Sequence, residues 1–520
     1  MKKIINSDLI NILIKYLSII MFSMIFILLI GIDTRMNYSY MNSSKLDNYM
    51  CLAVILIVAL IIIIVQHIIK KKYNLGAIIE KKEKLIIGII FILLFVFQII
   101  VFHNIYFQTG WDVSQMFYTA ESYAENGVFD NNLYYRIYPY FDVYPNNIFL
   151  ASIFGIIIKL AMFFNCSQTN KVLVVISIIL VDLAGIIMVK TIENFSQRKI
   201  YKIFGAALYA VFIGMSPWYL IPYSDTFSIV FPISLLYNYT KKEKKMHNYL
   251  LIGLFSYLGY LIKPTSIIIL IAIVIIEVYK TLFRDKAKIK KVLKNGAALI
   301  IGVLIVVLLN TGLQNIIKYE GSNKYSFSLY HYLMMGINQE TTGSYSQEDV
   351  LNSLATNSYE ERIEYNKEIF FERIKSMSFK DFCEFYAKKT LLNYNDGTFA
   401  WGLEGNFYAR KNNIQTTLAK ALKDFFYNKG DMFYTFSSIM QTIWIFVLAT
   451  TILGAILKKF DYKNSVTYLA LIGLTMFVLI FEARARYMYL YSTYYIILAI
   501  TGIEAICERK RNKVIMQKYN

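Results

Sequence analysis

The stretch LIIGIIFILLFVFQIIVFHNIYF, from Leu85 to Phe107, contains no acid, lysine or arginine and leads directly into Gln108-Thr109-Gly110-Trp111-Asp112. About 20 mostly apolar residues cross a bilayer as a helix, and a helix satisfies its own backbone polar groups there. The segment reads as a transmembrane helix, with Asp112 an ionisable carboxylate where that helix leaves the membrane. Similar segments run from Leu9 to Gly31, Met50 to Ile69, Asn147 to Phe164, Val172 to Val189, Ile203 to Ile221 and Thr226 to Tyr239. They continue from Tyr249 to Ile262, Ser266 to Leu282, Ala297 to Ile317, Phe433 to Leu457, Val466 to Phe481 and Tyr487 to Ile506. The expectation is about thirteen helices, with short ones such as Thr226 to Tyr239 tilted, broken or re-entrant. Leu9 to Gly31 lacks a short apolar region ending in a cleavage site, so it reads as a retained helix.

Composition agrees: 57% hydrophobic and 17% charged residues, with mean hydropathy +0.46, describe an all-α polytopic membrane protein. The net charge of +19 does not point to nucleic acid. Its lysines and arginines sit in short runs beside apolar segments: Lys70 to Lys72, Lys81 to Lys84, Lys241 to Lys245, Arg284 to Lys294, Lys458 to Lys459 and Arg509 to Lys513. Such runs mark the cytoplasmic face and hold it against anionic headgroups. The opposite face then receives the loop 108–146, Ser224-Asp225, the region from Tyr319 to Met432 and the turn from Glu482 to Arg486. Residues divide into an N-terminal helix pair (1–84), a core (85–317), an extracytoplasmic, mainly helical region (318–432) and C-terminal helices (433–520). One parity problem arises. Three candidate helices separate Asp112 from Asp225, and an odd number of crossings would part them. The basic link from Arg198 to Lys202 reads as cytoplasmic, so Asn147 to Phe164 or Val172 to Val189 is the non-spanning or merged element.

Several polar positions admit an ordinary and a functional reading. Asp112 is a solvated loop acid, or a reactive carboxylate on a short helix that lines up Asp112, Met116, Thr119 and Tyr123. In Tyr144-Pro145-Asn146-Asn147, Asn146 caps the next helix or faces a site. Asp225 is equally an N-cap or a site residue. Lys263, in Lys263-Pro264-Thr265, snorkels to the interface or meets a phosphate. In Glu482-Ala483-Arg484-Ala485-Arg486-Tyr487, two arginines on the outer face run against the charge rule. Glu482 accounts for one of them, and a lipid-linked phosphate held in bidentate geometry would account for both. Ser346 reads as an N-cap with Asp349 reaching back in a capping box, and Asn393 to Trp401 as a turn or a sugar-stacking surface. Cys51, Cys166, Cys383 and Cys507 are scattered, which indicates neither a disulfide framework nor a metal site. His67, His103, His247 and His331 are isolated, and no nucleotide or zinc-protease motif occurs.

The order of these features resembles the GT-C superfamily of integral membrane glycosyltransferases, which includes protein O-mannosyltransferases and aminoarabinose transferases. The matching parts are Gly110-Trp111-Asp112, the continuation through Ala120, Ala124 and Gly127, Tyr144-Pro145, Asp225, Ile262-Lys263-Pro264-Thr265 and Arg484-Ala485-Arg486-Tyr487. The resemblance covers most of the chain from Leu85 onward. It implies a GT-C-like bundle with Asp112 as the general base on the acceptor hydroxyl and a polyprenyl-phosphate-linked sugar as donor. Arg484, Arg486 and Lys263 would hold the donor phosphate, and Trp111, Tyr144, Asn146, Asp225 and Glu482 would bind substrate. No second acid follows Asp112, so a metal-dependent variant is not indicated and no cofactor is expected. The expected setting is the outer face of a bacterial cytoplasmic membrane, among membrane lipids, with a wall polymer, glycolipid or protein as acceptor. Two rivals remain: a lipid-linked saccharide flippase or exporter, which has no use for Asp112, and an O-antigen-type polymerase or ligase. Polymerases rely on outer-loop arginines, and here that region offers Arg362, Arg373 and Arg410.

Overall fold

The computed structural model describes residues 2–31, 46–70, 80–129, 133–134, 138–283, 289–319, 321–405 and 408–519. Lys71, Lys72 and Arg284 to Lys288, members of two expected basic runs, lie outside the described residues, as do parts of the loop 108–146. The chain is a helical bundle. Its first part comprises α1 (Lys2–Gly31), α2 (Asn48–Lys70), α3 (Glu83–Ile105), β1 (Phe107–Thr109), α4 (Trp111–Asn126), β2 (Leu133–Tyr134), β3 (Tyr138–Pro139), α5 (Tyr140–Val143) and α6 (Ile148–Phe163). Then come α7 (Thr169–Phe195), α8 (Lys199–Tyr209), α9 (Ser224–Ser228), α10 (Val230–Thr240), α11 (Met246–Ile262), α12 (Ile268–Phe283) and α13 (Ile289–Ile317). A polar region holds α14 (Leu329–Gly336), α15 (Gln347–Leu354), α16 (Tyr359–Ser376), α17 (Phe379–Tyr394), β4 (Tyr408–Lys411) and α18 (Thr417–Phe426), before α19 (Phe433–Leu457), α20 (Tyr462–Ile480) and α21 (Ser492–Tyr519).

Among the described residues nine helices are long and apolar enough to cross a membrane, against about thirteen expected from the sequence. The difference lies in four segments. Within the described residues Asn48–Ile61 and Met246–Ile262 are short apolar helices. Ile203 to Ile221 does not stay one helix: α8 passes into a π-helical turn at Ala210–Gly214 and a 3-10 turn at Pro217–Leu220. Pro217 cannot donate to a helical ladder, and the wide turn lets Gly214 meet Leu94, where a Cβ would stand 2.5 Å from a methyl. Thr226 to Tyr239 divides into α9 and α10.

The described residues of the expected basic runs gather at one end of the bundle. There Lys202 pairs with Glu83 at 2.5 Å and Lys458 with Glu504 at 2.7 Å. Lys463 donates to the Asn194 carbonyl and Lys15 to that of Lys458, each at 2.8 Å. Asp112, Asp225, Lys263 and the 482–487 turn gather at the other end, the site face. The parity problem resolves at α6, because both its ends belong to the site face. At its start Asn147 donates to the Tyr140 hydroxyl at 2.6 Å. Just past its end, Lys171 in the first turn of α7 stands 5.5 Å over the ring of Tyr106, where α3 emerges. α6 instead packs along α4, where Gly155 admits the ring of Tyr123 and Lys159 stands 5.2 Å from that ring's centre. Thus Asn147 to Phe164, of the two suspects, is the element that turns back.

The polar region is mainly helical, as expected, with one addition: β4 pairs antiparallel with β1, placing Phe107 opposite Lys411. Three paired residues are too few to leave an alternating sequence pattern. Ser346 does cap α15, accepting from the Asp349 amide at 3.2 Å. The Asp349 carboxylate does not reach back; it binds Arg373 at 2.7 and 2.9 Å and Asn338 at 2.9 Å. The helices of residues 1–84 are built into the bundle. Asn48 donates to the Leu29 carbonyl and to Asn395, and Gln441 donates to Asn48, each at 2.7 Å, so a buried amide network ties α1 and α2 to α17 and α19. All four cysteines are free.

α11 and α13 approach closely because both carry glycine at the contact. A Cβ on Gly253 would lie 1.9 Å from the Leu299 carbonyl oxygen, and one on Gly302 would lie 2.1 Å from that of Leu250. Small residues at such contacts replace a hydrophobic driving force that lipid cannot supply. Gly302→Leu is expected to destabilise the chain by about 3 kcal/mol, read as a lowered thermal midpoint in detergent; an unchanged midpoint would disprove this packing.

Candidate active site

Asp112 is held at a constrained corner. The β1–β4 pairing fixes the chain leaving α3, and Trp111 then takes φ 43°, a left-handed conformation rare for a bulky residue. That strain turns the first residues of α4 sharply back toward the bundle. The Asp112 carboxylate accepts from the Tyr223 hydroxyl at 3.0 Å and also meets that of Tyr140. Burial, then the negative charge of Asp112, pushes both phenols well above their ordinary range, so they remain protonated donors. Asn147 holds Tyr140 in place. Neither Asn146 nor Asn147 makes a side-chain cap to α6; the Asn146 amide donates to that of Asn147 at 3.1 Å.

The cationic half comes from the turn before α21. Arg484 gives Nε to Glu482 at 2.6 Å and Nη1 to Glu404 at 3.0 Å. Arg486 places Nη1 3.1 Å from the same Glu404 oxygen and Nε 3.3 Å from Asp225. Lys263 binds the other oxygen of Asp225. Tyr487 donates to Glu482 at 3.2 Å. Three carboxylates and three cations therefore alternate in one chain, buried at Glu482, Arg486, Asp225 and Lys263 and half-buried at Glu404 and Arg484. Burial opposes ionisation of Glu404, but Arg484 and Arg486 overcome it and hold its carboxyl below the usual range. Lys263 is lowered by burial against the pull of Asp225. The halves touch through aromatic rings: the Arg486 guanidinium lies 4.8 Å from the Trp111 centroid and 5.2 Å from that of Tyr223, and those rings meet edge-on at 4.8 Å.

Two devices set the loops. The Asp396 carboxylate accepts from the Thr398 amide at 2.8 Å, its hydroxyl at 2.6 Å and the Ala400 amide at 2.9 Å. This supports positive φ at Phe399 and Ala400 and delivers Glu404 on the π-helical turn Trp401–Gly405. So Asn393 to Trp401 is the turn, and what it presents is an acid rather than a stacking surface. On the other side, buried Lys389 donates to the carbonyls of Gly336 and, at 2.7 Å, Phe481. It thereby fixes the root of the arginine turn.

These walls enclose a cavity of about 610 Å³. Trp111, Asp112, Tyr144, Asn146, Glu482, Arg484 and Arg486 line it. Asp225 and Lys263 do not; they form an ion pair behind the wall, and Thr226 rather than Asp225 provides the hydroxyl that accepts from the Tyr223 amide at 3.2 Å. Sequence reading passed over Glu404, Tyr140 and Tyr223, and weighed His331 only as a metal ligand. Only Tyr223 carried a signal, its place beside Asp225. His331 lines the cavity but is pinned by Ser353 at 2.9 Å and stacked on Phe327, and burial lowers it to about 3, so it is neutral near pH 7. Among the described residues no three His, Cys, Asp or Glu side chains are grouped to hold a metal ion.

Residues 7–506 match a family described as conserved hypothetical integral membrane protein. The chain belongs to that family. With its long apolar helices it is a multi-pass membrane protein. No curated protein matches it. Among solved structures it is similar to the crystal structure of ArnT from Cupriavidus metallidurans bound to undecaprenyl phosphate, at 11% identity over 84% of this chain and 78% of that one, with a TM-score of 0.29.

Removing Glu404 strips both arginines, one of them buried, of a shared half-buried partner. Glu404→Ala is expected to cost about 3–5 kcal/mol, seen as a lower denaturation midpoint, whereas an exposed pair would cost under about 1 kcal/mol. Lys389 offers a pH test. Burial lowers its ammonium to about 7, Glu482 opposing, while an unfolded lysine titrates near ~10.4. Between those values the unfolded chain binds more protons, so stability rises with pH from about 7 toward about 10. Midpoints measured against pH should rise less steeply over that range in Lys389→Met.

Proposed function

We propose that this chain is a GT-C-like glycosyltransferase. It moves a sugar from a polyprenyl-phosphate-linked donor to an extracytoplasmic acceptor: a wall polymer, a glycolipid or a protein. The reading rests on one observation: a single cavity opposes the Asp112 carboxylate to the edges of two arginines. Arg484 donates Nε and Nη1 to carboxylates, Arg486 faces its carboxylates with Nε and Nη1 at ion-pair distance, and the Nη2 of each makes no hydrogen bond among the described residues. Those nitrogens suit phosphate oxygens. The basic runs at the opposite end support an extracytoplasmic placement of the cavity, in a bacterial cytoplasmic membrane, under the positive-inside rule.

The roles follow from this arrangement. Asp112, oriented by Tyr223 and Tyr140, takes the proton from the acceptor hydroxyl as its oxygen attacks the anomeric carbon, with inversion. The bond to the phosphate oxygen breaks, and Arg484 and Arg486 offset the negative charge that gathers there. Lys263 and Asp225 act one step back, orienting Arg486. Glu404 and Glu482 hold the guanidiniums ready, which lowers the reorganisation needed in the transition state. Cation charge from arginine makes a resident metal unnecessary in this scheme. The polymerase reading is less well supported, because Arg362 is buried on the Ser353, Lys324 and Ser326 carbonyls and Arg373 is taken by Asp349; the side chain of Arg410 lies outside the described residues.

The experiment is transfer of radiolabelled sugar from polyprenyl-phosphate donors in membranes containing matched amounts of wild type and Asp112→Asn. Transfer by the variant is expected to fall about 10²–10⁴-fold while donor binding persists. Undiminished transfer would remove Asp112 from the role of base, and absence of transfer with every donor would favour a carrier.

A further inference from the structure

At the end of the bundle away from Asp112 lies a second polar cavity, of about 190 Å³, which the proposed chemistry does not use. A single water requires only about 10–15 Å³ of such space. Three elements build it: the link between α10 and α11, the last turns of α12 and the first turns of α13. Among the described residues they contribute Lys242, Lys244, Lys280 and Lys291, against Glu277 as the one acid in the lining. Glu243, in the same link, is exposed and does not line the cavity.

The single carboxylate is already committed. One oxygen of Glu277 receives Lys280 at 2.7 Å and the Tyr239 hydroxyl at 2.7 Å, with Lys244 at 3.9 Å. Lys291 meets no acid among the described residues. Four ammonium groups against one carboxylate leave three positive charges facing a shared space. Lys244 is confined over the Tyr239 ring at 4.0 Å. Burial, then repulsion by Lys280, lowers it to about 8, more than the pull of Glu277 restores.

A second observation selects the kind of anion. Beside the cavity, α12 exposes Val274, Val278 and Leu282, and α13 exposes Leu293, Ile300 and Leu304. An anionic pocket-filler here would have an apolar surface directly alongside it for hydrocarbon chains. Basic pockets between helices at a cytoplasmic face suit phosphate-bearing lipid headgroups. We infer that this cavity binds the phosphate of an anionic phospholipid, whose acyl chains lie along α12 and α13. The site is separate from the transferase reading and stands or falls without it.

Native mass spectrometry of the full chain tests it, comparing retention of phosphatidylglycerol and phosphatidylcholine with identical acyl chains. The wild type should retain phosphatidylglycerol about tenfold better, Lys244→Gln with Lys291→Gln should lose that preference, and Lys244→Arg with Lys291→Arg should keep it. No preference in the wild type, or an intact preference in the glutamine variant, would overturn the assignment. Displacement of phosphatidylglycerol by millimolar inorganic phosphate would overturn the lipid source and leave a soluble phosphate as ligand; resistance to it supports the lipid. Should Lys244→Gln not fold, Lys242→Gln with Lys291→Gln, both exposed, makes the same comparison.

Discussion

The site depends on a largely buried run of alternating charge: Glu482, Arg484, Glu404, Arg486, Asp225, Lys263. Each ion alone would be costly to bury, and each is tolerated because every neighbour it has in the run carries the opposite sign. The run crosses four separate stretches of chain. Lys263 ends α11, Asp225 opens α9, Glu404 comes from the polar region and the arginines precede α21. A network of this kind adds little stability over an apolar core of the same volume. What it does is specify one relative placement of those four stretches.

Around it the remaining parts act as clamps. The β1–β4 ladder joins the exit of α3 to the polar region, and the strained Trp111 carries that constraint into a ring that covers Arg486. Lys389 and the Asp396 turn fix the two segments that carry Arg484 and Glu404. Membrane helices and polar region are thus not a base with an accessory lid. Each supplies part of one wall.

Much of this was legible in the sequence, unevenly. Hydrophobic length revealed the helices, and the lysine runs revealed which end of each belongs together, because both signals are local. Helix breaks were harder. The apolar length of Ile203 to Ile221 masks the break that Pro217 brings just after Gly214, and α6 has the length and apolarity of a span while returning to the face it left. At the site, Asp112 and the two arginines stood out because each violates a membrane rule. Glu404 violates none, since an acid in a polar loop is unremarkable until its partners are known. For the same reason Asp225 and Lys263 looked like direct contacts, although they stand behind Arg486: a sequence distinguishes ionisable from apolar but not front from back.

The α4–α6 pair carries one more consequence. α6 leaves Phe163 and Phe164 at its tip 78% and 75% exposed, on an element that lies along the site face. Apolar rings left this bare gain by leaving water for hydrocarbon. The pair is therefore an outrigger: its tip favours lipid while its packing against the bundle holds one wall of the cavity's mouth.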